Sequence, residues 1–199
     1  MIFDTHKALV TALHKLAESP GLDSKKLQDF AARVALSEAL QTELQNPDPT
    51  HPYGRNVLFA NDTLECMVAT WTSGTPCLPH DHGGSWGAVR ILQGQARHRI
   101  WAVGNGQMRE TRVHTAGPGD VLACGPSMVH SMGVEAVEDV LLTLHLYTRS
   151  IEQMVVYDVE NAQTYVVDGN CGAWIPDASS GMLRSRTDGL LRRTELQAA

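Results

Sequence analysis

The chain lacks the features that would place it in several large classes of protein. Its 199 residues hold four cysteines, Cys66, Cys77, Cys124 and Cys171, and no two form a C-x-x-C pair. Unpaired thiols at irregular spacing fit a reducing cytoplasm. No apolar run approaches the ~20 residues needed to span a bilayer. The opening Met1-Ile2-Phe3-Asp4-Thr5-His6-Lys7 lacks the charged start and long apolar stretch of a signal peptide. Positive charge is scarce too: 16 Lys and Arg stand against 22 Asp and Glu, a net charge of −6. That balance argues against a nucleic-acid or anionic-membrane partner. No internal repeat or low-complexity tract interrupts the chain. What remains is a soluble, cytoplasmic chain expected to form one domain over residues 1–199, as a monomer or weak homo-oligomer. At 43% hydrophobic residues it can bury one sizeable core.

The organisation reads as helices, then a barrel, then a tail. Leu9, Val10, Leu13 and Leu16 recur at helical spacing until Pro20-Gly21 stops them. Asp23 or Ser24 can cap a second helix with the apolar stripe Leu27, Phe30, Ala31 and Val34. Leu36, Leu40 and Leu44 form another row, displaced around that helix. Either the helix is buried on two sides or it breaks and restarts near Leu36, and Asn46-Pro47-Asp48-Pro49 ends it. From Asn56 onward, short runs at 64–71, 86–92, 96–103, 121–124, 140–147 and 164–167 alternate with Gly, Asn, Pro or Asp turns. This is the rhythm of a double-sheet jelly roll or barrel. The expected fold is mainly β: a jelly-roll barrel over 51–178, with two N-terminal helices within residues 1–50 packed outside. The polar stretch 179–199, with Arg184, Arg186, Arg192 and Arg193, reads as a mobile tail or a short surface helix.

His80-Asp81-His82, followed at a distance by His130, is the pattern that carries chemistry. Side chains alternate along a strand, so His80 and His82 would share one face, and a third ligand must arrive from a distant strand. Alone, an H-x-H pair reads as readily as two core or surface histidines. Its surroundings change the balance. Gly74, His80, His82 and Gly94 fall at the spacing of the first cupin stretch. Gly119 and His130 fit the second stretch, although Gly125 and Ser127 replace its usual Pro and Gly. The glycines allow the tight turns that join short barrel strands. The position usually held by Glu falls on Gly87, which leaves three neutral imidazoles and an open face. Such a set suits Fe, Zn, Cu or Ni and does not choose among them.

Four stretches, in order, resemble the thiol dioxygenases typified by cysteine dioxygenase. They are Tyr53-Gly54-Arg55-Asn56, Pro79-His80-Asp81-His82, Ser127-Met128-Val129-His130 and Thr143-Leu144-His145-Leu146-Tyr147. The resemblance implies Fe(II) held by His80, His82 and His130. It implies that Arg55, beside Tyr53, binds a substrate carboxylate, a task suited to a planar guanidinium fork. It also matches the family's Ser-His-Tyr relay to Thr143, His145 and Tyr147, with Thr preserving the hydroxyl; strand alternation puts these three on one face. Without the resemblance, Arg55 reads as a solvated charge and His145 as a satisfied core histidine. Animal members cross-link a Cys to the tyrosine matching Tyr147. That position is Gly87 here, as it often is in bacterial members, so Tyr147 is expected to be a free phenol. Trp86, beside the metal ligands, lines the substrate pocket or belongs to the core.

The activity so implied adds both atoms of O2 to the sulfur of a small carboxylate-bearing thiol, giving a sulfinate without external reductant or organic cofactor. L-Cysteine is the first expectation, and 3-mercaptopropionate and mercaptosuccinate are the alternatives. Relatives that prefer 3-mercaptopropionate often carry Gln at the position of Arg55. Two readings from other classes stand beside this one: a metal-poor cupin acting as a sugar or regulatory sensor, and another metal cupin such as a zinc or nickel isomerase or a quercetinase-like oxygenase.

Overall fold

Leucines at helical spacing shape the start of the computed structural model, which describes residues 1–72, 74–136 and 140–197. After a two-residue strand β1 (Ile2–Phe3), helix α1 (His6–Ala17) begins where the Thr5 hydroxyl accepts the Ala8 N–H. Helix α2 (Ser24–Arg33) is capped by Asp23, whose carboxylate accepts the Lys26 N–H. The chain then breaks. Val34 is extended, strand β2 (Ala35–Leu36) pairs in parallel with β1, and helix α3 (Glu38–Leu44) restarts on a Ser37 cap. The expected pair of N-terminal helices is therefore corrected to three. Pairing with β1 satisfies the backbone where a continuous helix would have done so. It also turns Leu36, Leu40 and Leu44 into the same core as Leu27 and Phe30.

The remaining strands are β3 (Gly54–Ala60), β4 (Glu65–Trp71), β5 (Gly87–Gln93), β6 (Ala96–Gly104), β7 (Gln107–Ala116), β8 (Val121–Cys124), β9 (Val129–Val134), β10 (Leu141–Tyr147), β11 (Gln153–Asp158), β12 (Gln163–Asp168) and β13 (Leu183–Asp188). One sheet runs β3-β4-β10-β5-β8. Two three-stranded sheets, β7-β6-β9 and β11-β12-β13, are joined through His80, which bridges His130 on β9 and Val156 on β11. The result is the mainly-β, two-layered jelly roll expected from the sequence. Strand β10 explains how the layers and helices share it. Its Leu142, Leu144 and Leu146 pack with the helical leucines, while Leu141 joins Met67, Val89 and Ile91 against Ala96, Ala116 and Met132 of the facing layer. A strand covered on both faces is apolar at nearly every position, and LLTLHLY is.

The expected tail is a correction. Strand β13 pairs along β12 from Gln163↔Asp188 to Val167↔Leu183, and Arg184 forms an ion pair with Asp168. Past Gly189 the chain turns into a short helix, α4 (Arg193–Leu196), and Leu190 and Leu196 pack with Val103, Val129, Val155 and Tyr157. The ladder's hydrogen bonds hold LRSRTD in place, and those leave no apolar pattern to read. Residues 198–199 of that stretch lie outside the described residues. No helix among the described residues is long and apolar enough to cross a membrane.

Candidate metal centre

His80, His82 and His130 are buried together between the layers, with one nitrogen of each lying within 4.8 Å of the others. They are held by different means. His130 is the second residue of β9, and His80 is bridged to both β9 and β11. His82 follows in a turn where Gly83 (φ 64°) and Gly84 (φ 83°) are left-handed and Ser85 N–H donates to the His82 carbonyl at 3.0 Å. A Cβ on Gly83 would meet the Gln153 carbonyl oxygen at 2.7 Å, so only glycine fits. The expectation that both histidines ride one continuous strand is thus corrected: His80 forms isolated bridges, and His82 lies beyond them at the start of a turn.

The outer nitrogens decide which inner ones are free. His80 Nδ1 lies 2.9 Å from the Leu78 carbonyl oxygen, and His130 Nδ1 lies 2.7 Å from His98 Nε2. Donating those N–H groups leaves both Nε2 atoms as lone pairs toward the centre, where His82 Nε2 stands 3.0 Å from His130 Nε2. Burial holds all three imidazoles below their usual range, and their mutual proximity adds to this at His82 and His130. Neutral imidazole is the form a metal needs, and three such donors fit a first-row divalent ion. The charge pattern extends outward. The partner of His130 is His98, not a carboxylate, and His98 Nδ1 lies 3.3 Å from His114 Nε2. Accepting from His130 forces the His98 proton onto Nδ1, toward His114. Burial lowers the pKa of His98 to about 4, so it too is neutral.

The cavity beside the histidines is walled by Tyr53, Arg55, Glu65, His145, Tyr147 and the apolar Met67, Trp71, Met132 and Met154. Thr143, His145 and Tyr147 are linked: Thr143 Oγ1 is 2.8 Å from His145 Nε2, and His145 Nδ1 is 3.1 Å from the Tyr147 hydroxyl. Trp71 Nε1–H donates to Thr143 Oγ1 at 2.9 Å. An indole N–H can only donate, so the threonine proton has two acceptors in reach, His145 Nε2 at 2.8 Å and the Ala69 carbonyl at 3.5 Å, and the shorter contact assigns it to His145 Nε2. Burial lowers the pKa of His145 to about 3, which makes it a neutral ring carrying its proton on Nδ1, toward the Tyr147 oxygen. The Tyr147 proton is then left for the cavity, and burial raises that phenol's pKa well above its usual value. Gly87 seats the ring: a Cβ there would lie 2.9 Å from it.

Arg55 has company that the sequence did not suggest. Its Nη2 is 3.7 Å from Glu65 Oε1, and its Nε–H donates to Met67 Sδ at 3.5 Å. Glu65 is buried, accepts the Ile151 N–H at 3.0 Å, and has its pKa raised by burial. Its signal was positional, since on β4 it alternates with the inward-facing Met67, Ala69 and Trp71. The Tyr53 ring packs on Trp71 and its hydroxyl oxygen accepts the Ala173 N–H at 3.0 Å. Trp86 stands apart from both of its expected places. It is 46% exposed and off the cavity wall, because it lies just before the start of β5, where its backbone N–H donates to Thr148 Oγ1.

Among solved structures, the chain is similar to an uncharacterized conserved protein with a double-stranded β-helix domain from Klebsiella pneumoniae. Identity there is 17% and TM-score 0.48, over 59% of this chain and 94% of that one. It is also similar to oxalate decarboxylase of Bacillus subtilis (19% identity, TM-score 0.44, 56% of this chain and 30% of that one). A third similarity is to the DMSP lyase DddQ from Ruegeria pomeroyi (20% identity, TM-score 0.44, 56% and 54%). The family model described as cysteine dioxygenase type I matches residues 4–160, a span that holds the three histidines, Arg55 and the Thr143–Tyr147 relay. On that match the chain belongs to the cysteine dioxygenase type I family.

Proposed function

We propose that the protein is an Fe(II)-dependent thiol dioxygenase that converts a small carboxylate-bearing thiol to its sulfinate. L-Cysteine is the preferred substrate, and 3-mercaptopropionate and mercaptosuccinate are the alternatives. One observation carries the reading: two members of a neutral three-histidine set, His80 and His130, line the same narrow cavity as a half-buried guanidinium and a buried phenol. Iron, when bound by His80, His82 and His130, would bring thiol and dioxygen together and supply the electron transfer between them. The chain's own groups do the rest. Arg55 holds the carboxylate, sharing its guanidinium with Glu65. Tyr147, accepting from His145, offers its proton to oxygen-bearing species in the cavity. Met67, Trp71, Met132 and Met154 exclude water, which strengthens each of these polar contacts. The cavity thiol, Cys77, has its pKa raised to about 12 by burial, so it does not compete as a nucleophile. All four cysteines are free and buried, which suits a reducing cytoplasm.

The ligand set is tested by replacing His80, His82 or His130 singly with Ala. Each variant is expected to fold yet lose both iron retention and oxygen uptake. Full iron occupancy in His130→Ala would remove that residue from the centre.

A further inference from the structure

Asp81 stands between two of the proposed ligands, and its side chain does not face solvent. It is 4% exposed, and its carboxylate collects four donors. The Val155 and Gly83 N–H groups donate to Oδ1 at 3.0 and 3.1 Å. Arg193 grips both oxygens, with Nε on Oδ2 at 2.7 Å and Nη2 on Oδ1 at 2.6 Å. Arg193 comes from the far end of the chain, 112 residues away, and is itself seated. Its Nη2 also donates to the Gln153 carbonyl at 3.2 Å, and the segment leading to it is pinned by Leu190, by Leu191 N–H on Thr164 Oγ1, and by Leu196.

The backbone around Asp81 needs such a hold. His80 bridges His130 and Val156, the neighbouring Pro79 carbonyl accepts the Tyr157 N–H at 2.9 Å, and His82 leads into two left-handed glycines. Backbone pairing extends through Asp81, whose N–H donates to the Val155 carbonyl at 3.0 Å, while His82 beyond it lies in a turn, so the Asp81 side chain links the paired segment to that turn. A bidentate guanidinium–carboxylate pair, mostly shielded from water, fixes distance and plane together.

We propose that Arg193 is a positioning residue for the metal centre, its C-terminal segment acting as a strap that locks Asp81 and so presets His80 and His82 for an ion. This rests on those histidines being metal ligands. Partners outside the ligand shell commonly change metal affinity by roughly 10–100-fold.

The test compares the metal-stripped full chain with Arg193→Ala and Arg193→Lys, the second keeping the charge but not the fork. Each is titrated with Co(II), read by its visible spectrum and by Kd, and amide hydrogen exchange is followed at residues 80–85. Both variants should bind Co(II) at least 10-fold more weakly, Lys less severely than Ala, and exchange faster at 80–85 with β6 and β9 unchanged. A Kd within twofold of wild type in a folded variant would overturn the strap. If Arg193→Ala fails to fold, Arg193→Lys decides. If wild type binds no Co(II) or Fe(II), the metal-centre reading falls. Exchange then decides the strap alone, and unchanged exchange at 80–85 overturns it.

Discussion

A phenol whose oxygen already accepts from a histidine keeps its own proton free, and at Tyr147 that proton is left for the cavity. Tyr147→Phe should lower kcat by roughly 100-fold, the lower end of what a positioned proton donor supplies, with iron still bound. Wild-type turnover would reduce the ring to packing. Arg55 makes a separable prediction, because its proposed role is to hold the substrate carboxylate and not the metal. Truncating one member of a buried charge pair costs on the order of 2–5 kcal/mol. Arg55→Ala should therefore lose most of its kcat/KM on cysteine and keep its iron. Cysteamine, which lacks the carboxylate, should be a poor substrate that loses little further. Equal losses on both thiols would assign Arg55 to the fold. The buried three-histidine cluster was legible in the sequence because the H-x-H pair and its glycines lie close together. Glu65, His98 and Arg193 were not, because each meets its partner from another strand or segment. His98 meets His130 across 32 residues, and Arg193 meets Asp81 across 112.

Strands β5 and β10 set the height of Tyr147, through the register Tyr147↔Gly87. A methyl group on Gly87 would collide with the ring at 2.9 Å. Gly87→Ala should push the phenol off its position and lower kcat on the order of 10- to 100-fold, as small misplacements do. Its metal content should not change. Undiminished activity would show that the ring can shift without consequence. Strands such as β4 and β10 were legible from the sequence because burial on one or both faces wrote itself into their residues. Strand β7, QMRETRVHTA, is mostly exposed, and β13 carries two arginines and an aspartate. Their places come from ladder hydrogen bonds, to which any side chain is compatible. The break before α3 was legible only as one of two alternatives, since what decides it is the pairing of β2 with the two-residue β1.

Across the whole molecule, the buried neutral histidines make stability depend on pH. His98 and His145 hold pKa values of about 4 and about 3 in the fold, against 6.5 when free. As pH falls below 6.5 the unfolded chain takes up protons that the folded chain refuses. Stability is therefore intact above that value and lost as pH drops toward 4, by about 1.4 kcal/mol per pH unit for each such group. Thermal melts of the metal-free protein between about pH 7.5 and pH 5 should show a falling midpoint; a flat profile would mean that these rings charge freely in place. The jelly roll gathers three neutral histidines, an arginine and a polarised tyrosine around one cavity, and the central claim is that this cavity oxidises a thiol. The direct measurement is oxygen uptake by the Fe(II)-loaded protein with cysteine, 3-mercaptopropionate and mercaptosuccinate, with the product identified by mass spectrometry. The account predicts one sulfinate formed for each O2 consumed, fastest with cysteine. Tight zinc binding with no oxygen uptake on any of the three thiols would contradict it.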